Sequence, residues 1–168
     1  MPEALTRVDP IAAEPQVFAG ASMVLEPAAK RYSLRGNAEN LQAFVPINLP
    51  TKIGDLSDSA AGLAVMLGPD EWLLIGSVSG DSAGQAVSLT EITERQIGLL
   101  IEGPRAAELL MSGCPLDLER IPAGRGTRTI YETVEVTILK LSETRFRVEV
   151  WRSFVPWLFA ALAQAATD

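Results

Sequence analysis

Twice in this 168-residue chain an extended apolar run ends at a glycine and a short helical segment begins at once. Leu34-Arg35-Gly36 leads into Asn37-Ala38-Glu39-Asn40-Leu41, and Ile101-Glu102-Gly103 leads into Pro104-Arg105-Ala106-Ala107-Glu108-Leu109. A proline follows each segment, Pro46 and Pro115. The echo predicts two similar β-α units in one α+β domain, related to split βαβ arrangements. In the first unit Asn37 suits an N-cap, and Ala38, Leu41 and Val45 recur at helical spacing. In the second, Pro104 suits the first helical position and Gly113 the C-cap, with Ala106, Leu109 and Leu110 as the apolar face.

The rest of the chain supplies strands. Alternation or short apolar runs predict them at 22–26, 31–35, 62–67, 72–76, 87–91, 97–102, 127–131, 133–139 and 145–151. Gly68-Pro69-Asp70-Glu71 joins two of these as a hairpin longer than the two-residue kind, with Pro69 and Asp70 suited to a type I turn. Such links make the sheets mainly antiparallel. Residues 47–59, 77–84 and 114–126 read as connectors rich in Gly, Pro, Ser and Asp. Ser153 suits the cap of a final helix with Pro156 in its first turn. Trp151, Phe154, Leu158, Leu162 and Ala165 mark one stripe of it, and the scarcity of polar residues opposite predicts burial on more than one side. Residues 1–18, with Pro2, Pro10 and Pro15, read as a flexible N-terminal arm, and 19–168 as a single α+β domain.

Composition limits the chemistry. There is no histidine and one cysteine, Cys114. The chain therefore builds no Ser-His-Asp or Cys-His arrangement, no His-ligated metal site, no His-tethered flavin, no CxxC pair and no internal disulfide. Lysine and arginine number 14 against 21 acidic residues, a net charge of −7. Nucleic acid needs clustered cations, so none is expected as a partner. The opening MPEALTRVDP has no apolar h-region. The most apolar stretch, 154–166, is shorter than the roughly 20 residues of a membrane helix and contains Pro156 and Gln164. A cytoplasmic protein that makes no membrane contact is the expectation.

Several groups are candidates for a site. Adjacent Asp70 and Glu71, before Trp72, are an acid/base pair, a cation holder or a solvated turn. Gly103 opens a helix start that offers N–H groups to an anion or packs tightly on its strand. Asp117 pairs with an arginine across an interface or caps a local turn. Arg152 is a carboxylate or phosphate fork, or a surface arginine beside a helix cap. Cys114, with no histidine to activate it, suits a small buried position. Arg120, Arg125 and Arg128, spread over a Gly/Pro loop, suit an acidic partner.

Together these strings carry a family resemblance. Leu67-Gly68-Pro69-Asp70-Glu71-Trp72-Leu73-Leu74 is followed by Ile101-Glu102-Gly103-Pro104-Arg105-Ala106-Ala107-Glu108-Leu109-Leu110. That runs into Gly113-Cys114-Pro115-Leu116-Asp117-Leu118, and Arg152-Ser153-Phe154 precedes the terminal helix. In this order and spacing they resemble the gamma subunit family of heterotetrameric sarcosine oxidase. The resemblance implies part of the folate-binding fold of aminomethyltransferase (the glycine-cleavage T protein). It implies a noncatalytic subunit with alpha, beta and delta partners. The complex is an oxidoreductase that demethylates sarcosine to glycine with O₂, passes the one-carbon unit to tetrahydrofolate and releases hydrogen peroxide. FAD, FMN, NAD, tetrahydrofolate and zinc would then sit in other subunits, and none on this chain alone. Ahead of Ile101, where the family pattern is a polar Asp-Gln-Ser-His-like stretch, stands Thr93-Glu94-Arg95-Gln96. That departure leaves room for a complex acting on another N-methyl amino acid. The alternatives are an independent folate-binding or aminomethyltransferase-like protein and a stand-alone structural module.

Overall fold

The computed structural model describes residues 8–12 and 14–167. Residues 1–7 and 13 of the arm assigned to 1–18, and residue 168, lie outside the described residues. Within the arm, Gln16–Phe18 forms β1, which pairs with β2 (Ala21–Leu25).

Two antiparallel sheets stack face to face. The six-stranded sheet continues from β1 and β2 through β8 (Gln96–Glu102), β11 (Arg145–Trp151) and β10 (Val134–Ser142) to β9 (Arg125–Tyr131). The five-stranded sheet runs β4 (Leu56–Ser59), β5 (Gly62–Gly68), β6 (Glu71–Gly76), β3 (Arg31–Gly36), β7 (Val87–Glu91). Helix α1 (Ala38–Gln42) follows β3, and α2 (Ala106–Met111) follows β8.

The echo in the sequence is an echo in space. Unit one runs β3-α1-β4-β5-β6 and unit two runs β8-α2-β9-β10-β11, and the two sheets have matching strand orders. The junction glycines share one backbone conformation, φ +133° at Gly36 and +132° at Gly103. Each donates its N–H to a hairpin turn of its own unit, Gly36 to Asp70 O at 3.1 Å and Gly103 to Thr144 O at 2.9 Å. A Cβ on Gly103 would stand 2.5 Å from Gly20 O, and one on Gly36 would stand 2.9 Å from Ala86 O. Positive φ and this close approach both require glycine. The flanking strands are exchanged. β2 precedes unit one but pairs with β8 of unit two, while β7 precedes unit two but pairs with β3 of unit one. That exchange ties the two sheets together.

Period-two strands assign their side chains to three cores. Between the sheets lie Leu63, Val65, Leu73, Ile75, Ile92 and Leu139. On the outer face of the five-stranded sheet, Trp72, Leu74, Tyr32 and Leu34 pack against Leu41 of α1 and the following Val45, Ile47 and Leu49. On the outer face of the six-stranded sheet, Ile97, Leu99, Phe146, Val148 and Val150 meet α2 and α3 (Val155–Ala165).

Several local expectations change. β4 occupies residues that read as connector. Gly68 pairs with Glu71, so the β5–β6 turn has two loop residues. Helix α2 starts at Ala106 with Arg105 as its N-cap position, which leaves Pro104 outside it. Gly113 follows the C-cap Ser112, and its small size serves another purpose: a Cβ there would come within 2.6 Å of the Tyr131 ring. Ser153 lies inside a 3₁₀ turn (Arg152–Phe154) and caps nothing. Helix α3 buries one face, Val155, Leu158, Phe159 and Leu162, while Trp151 and Phe154 stay exposed. An i, i+3, i+4, i+7 stripe suffices for a helix lying on one sheet. Among the described residues no helix is long and apolar enough to cross a membrane.

Candidate functional site

The seam between the sheets is where charge collects. β3 brings Arg31 and β11 brings Glu149, and both side chains are completely buried. Arg31 Nε donates to Glu149 Oε2 at 2.6 Å, Nη2 to Oε1 at 3.2 Å and Nη1 to Ala29 O at 2.8 Å. Arg147, two residues before Glu149 and on the same strand face, donates Nε to Glu149 Oε1 at 2.7 Å. Arg147 Nη2 then meets Glu26 Oε2 at 2.5 Å. Two guanidiniums and two carboxylates thus form a neutral, hydrogen-bonded chain inside the protein, the condition under which buried charge is tolerated.

Gly98 makes the space. It faces Glu149 directly across the β8–β11 ladder. A Cβ at Gly98 would stand 2.7 Å from Glu149 Oε1 and 3.0 Å from both Arg147 Nη2 and Arg31 Nη2.

Burial raises the Glu26 carboxyl above its ordinary value of 4.5, with Arg147 opposing the shift. Folded Glu26 therefore holds its proton to higher pH than the unfolded chain does. Between about pH 4.5 and the raised value the unfolded chain binds fewer protons, so stability falls as pH rises. Glu26→Gln removes that loss. Its stability relative to wild type should rise as pH increases from 4.5 through the raised value in urea unfolding. A difference that stays flat with pH contradicts this account of Glu26.

Two further pairs cross between the sheets. Arg128 of β9 forks onto Glu71 of β6, with Nη1 to Oε2 at 3.3 Å, and its guanidinium is held protonated first by that hydrogen bond. Arg125 of β9 pairs with Asp55 and donates Nη2 to Ile53 O at 2.9 Å. There Asp55 and Arg125 also form an isolated backbone bridge.

Asp70, Glu71, Trp72, Gly103, Cys114, Asp117 and Arg152, singled out in the sequence, fall into structural roles without converging on one site. Glu71 is largely buried and also takes Arg35 Nη2 at 3.0 Å, whereas Asp70 is solvated and meets Arg35 at 3.3 Å. Trp72 points to the opposite face, buried, with Nε1 donating to Pro50 O at 2.8 Å. Gly103 sits at the tight junction described above. Asp117 Oδ1 accepts the Arg120 N–H at 3.3 Å, a local turn. Arg152 donates to Val8 O and lies 3.6 Å from Glu94. Cys114 is buried in the core beneath α2 and α3. Among the described residues no three of His, Cys, Asp and Glu group as metal ligands.

Sequence reasoning missed Arg31, Glu149, Arg147 and Glu26. The available signal was Gly98 inside a strand otherwise rich in bulky residues, since such a glycine marks close approach.

No protein-family model matches the sequence. Two curated relatives do. The sarcosine oxidase subunit gamma of Corynebacterium sp. (strain U-96) is 28% identical over 139 residues, 74% of this chain and 68% of the relative. The protein of the same name from an Arthrobacter species is 28% identical over 142 residues, covering 76% and 70%. Among solved structures, heterotetrameric sarcosine oxidase from Corynebacterium sp. U-96, in complex with pyrrole 2-carboxylate, contains a chain that superposes with a TM-score of 0.79. That match has 22% identity and covers 92% of this chain and 88% of the other. Aminomethyltransferase T of the glycine cleavage system from Bartonella henselae matches with a TM-score of 0.63 at 16% identity, over 86% of this chain and 46% of the other. The duplicated, strand-exchanged pair of sheets thus has the aminomethyltransferase-type fold, and the chain is similar in sequence to sarcosine oxidase gamma subunits.

Proposed function

We propose that the chain is the noncatalytic gamma subunit of a heterotetrameric sarcosine oxidase, assembled with alpha, beta and delta subunits. The complex demethylates sarcosine oxidatively to glycine, passes the one-carbon unit to tetrahydrofolate and forms hydrogen peroxide in the cytoplasm. FAD, FMN, NAD, tetrahydrofolate and zinc belong to the other subunits in this reading. The observation that carries it is the agreement between two curated gamma subunits, each matched over about three quarters of this chain, and a heterotetramer chain matched over 92% of it.

The site geometry supports a supporting role. Glu71, the most buried of the acidic candidates, is engaged by two arginines, and Trp72 and Gly103 are engaged in packing. An independent aminomethyltransferase is the weaker reading, because the chain spans 46% of the enzyme it resembles.

The test is purification of the tagged chain from cells carrying all four subunits. The expected product is a yellow heterotetramer that releases hydrogen peroxide on addition of sarcosine. A colourless, partner-free monomer overturns the proposal. Calorimetric binding of tetrahydrofolate to the isolated chain would favour the independent folate protein.

A further inference from the structure

One cleft, of about 410 Å³, opens where the start of β9, the 120–122 loop and the 53–54 loop meet. Arg120, Arg125 and Arg128 all line it, and no carboxylate does. In a chain of net charge −7 this concentration of cations runs against the rest of the molecule. Asp55 pairs with Arg125 and Glu71 with Arg128, and both arginine side chains remain more than a third exposed. The Arg120 side chain meets no carboxylate among the described residues. Apolar surface completes the cleft: Ile121 and Leu67 are partly buried in its walls, and Ile53 is 53% exposed at its edge.

Guanidinium forks beside exposed aliphatic surface are built for carboxylates flanked by apolar side chains. A small hard anion would satisfy the arginines and leave Ile53 and Ile121 in water. A peptide segment satisfies both. We propose that this cleft docks an acidic segment of a partner subunit, with carboxylates on Arg120 and Arg128 and an apolar side chain against Ile53 and Ile121. The inference rests on the subunit reading above and names the surface through which the subunit is held.

Co-purification with the flavin-bearing subunits, read by flavin absorbance and subunit mass, tests it. Arg120→Glu should lower recovery of those subunits at least about tenfold at 0.1 M salt, and Arg120→Gln by less. Wild-type recovery should fall as salt rises, with a shallower fall in Arg120→Gln. Arg145→Glu, an exposed charge reversal on the interior strand β11 outside the cleft lining, should leave recovery unchanged. Arg120 projects from an exposed loop, and unchanged circular dichroism would show that its variants fold. Wild-type recovery and salt dependence in Arg120→Glu overturn the docking proposal while leaving the subunit assignment intact. So does calorimetric binding of inorganic phosphate that is lost in Arg120→Gln while complex recovery is unaffected. A wild-type chain that recovers no flavin subunit overturns the subunit reading, and this inference with it.

Discussion

Glu149→Ala should lower the unfolding free energy by about 3–5 kcal/mol, the range for removing one partner of a buried ion pair. The substitution leaves Arg31 completely buried with no carboxylate and Arg147 with Glu26 alone. Both arginines lie in the seam, so little water reaches them and the desolvation penalty stays uncompensated. The double variant Arg31→Met with Glu149→Leu should lose less than the single alanine variant, because it removes both charges and fills the space with apolar atoms. Urea unfolding of the three proteins at neutral pH measures this. A single-variant loss below about 1 kcal/mol would mean that the seam does not depend on the pair. The double variant separates the two things the pair does. Any loss it retains reports the geometric fit of Arg31 to Glu149 and Ala29. The difference from the single variant reports the stranded charge.

The duplicated architecture was legible because its cause is local. A glycine at a strand-to-helix junction announces a backbone conformation other residues resist, and the sequence repeats it at Gly36 and Gly103. Strand 145–151 was legible for a similar reason, since Phe146, Val148 and Val150 alternate strictly. What alternation cannot say is where the other face goes. Arg147 and Glu149 look like a solvated face, and a second sheet covers them. That second sheet comes from residues 31–91, distant in the chain, and a pattern with period two contains no information about it.

The terminal helix failed in the opposite direction. Its apolar content suggested burial on several sides, yet one stripe faces the six-stranded sheet, and Trp157 and Phe154 stand exposed. Composition measures how much apolar surface exists, and only the layer architecture decides how much is covered. The arginines of 120–128 show the same divide. Their clustering in a loop was visible, whereas their convergence on one cleft depends on β9 lying against the 53–55 segment.

Trp72 provides the second large effect, and it decides between two meanings of the Leu-Gly-Pro-Asp-Glu-Trp-Leu string. If the string marks an interface, Trp72 substitutions act on assembly. The structure gives a different expectation: Trp72 is 1% exposed, packed on the outer face of its sheet among Leu34, Leu41, Met66 and Leu74. Trp72→Ala should therefore cost about 3–5 kcal/mol through lost transfer free energy and the cavity left behind. Trp72→Phe keeps an aromatic ring but leaves the Pro50 carbonyl without its indole donor, a loss of about 1–3 kcal/mol. The two variants should fall in that order in urea unfolding. The Phe variant, once folded, should recover flavin-bearing subunits as well as wild type does, because its altered atoms never reach the surface. Weakened assembly by a stably folded Trp72→Phe would place the string at an interface. Adjacent residues then divide by strand geometry alone: Trp72 belongs to the outer core, and Glu71, one position earlier and pointing the other way, belongs to the bonds between the sheets.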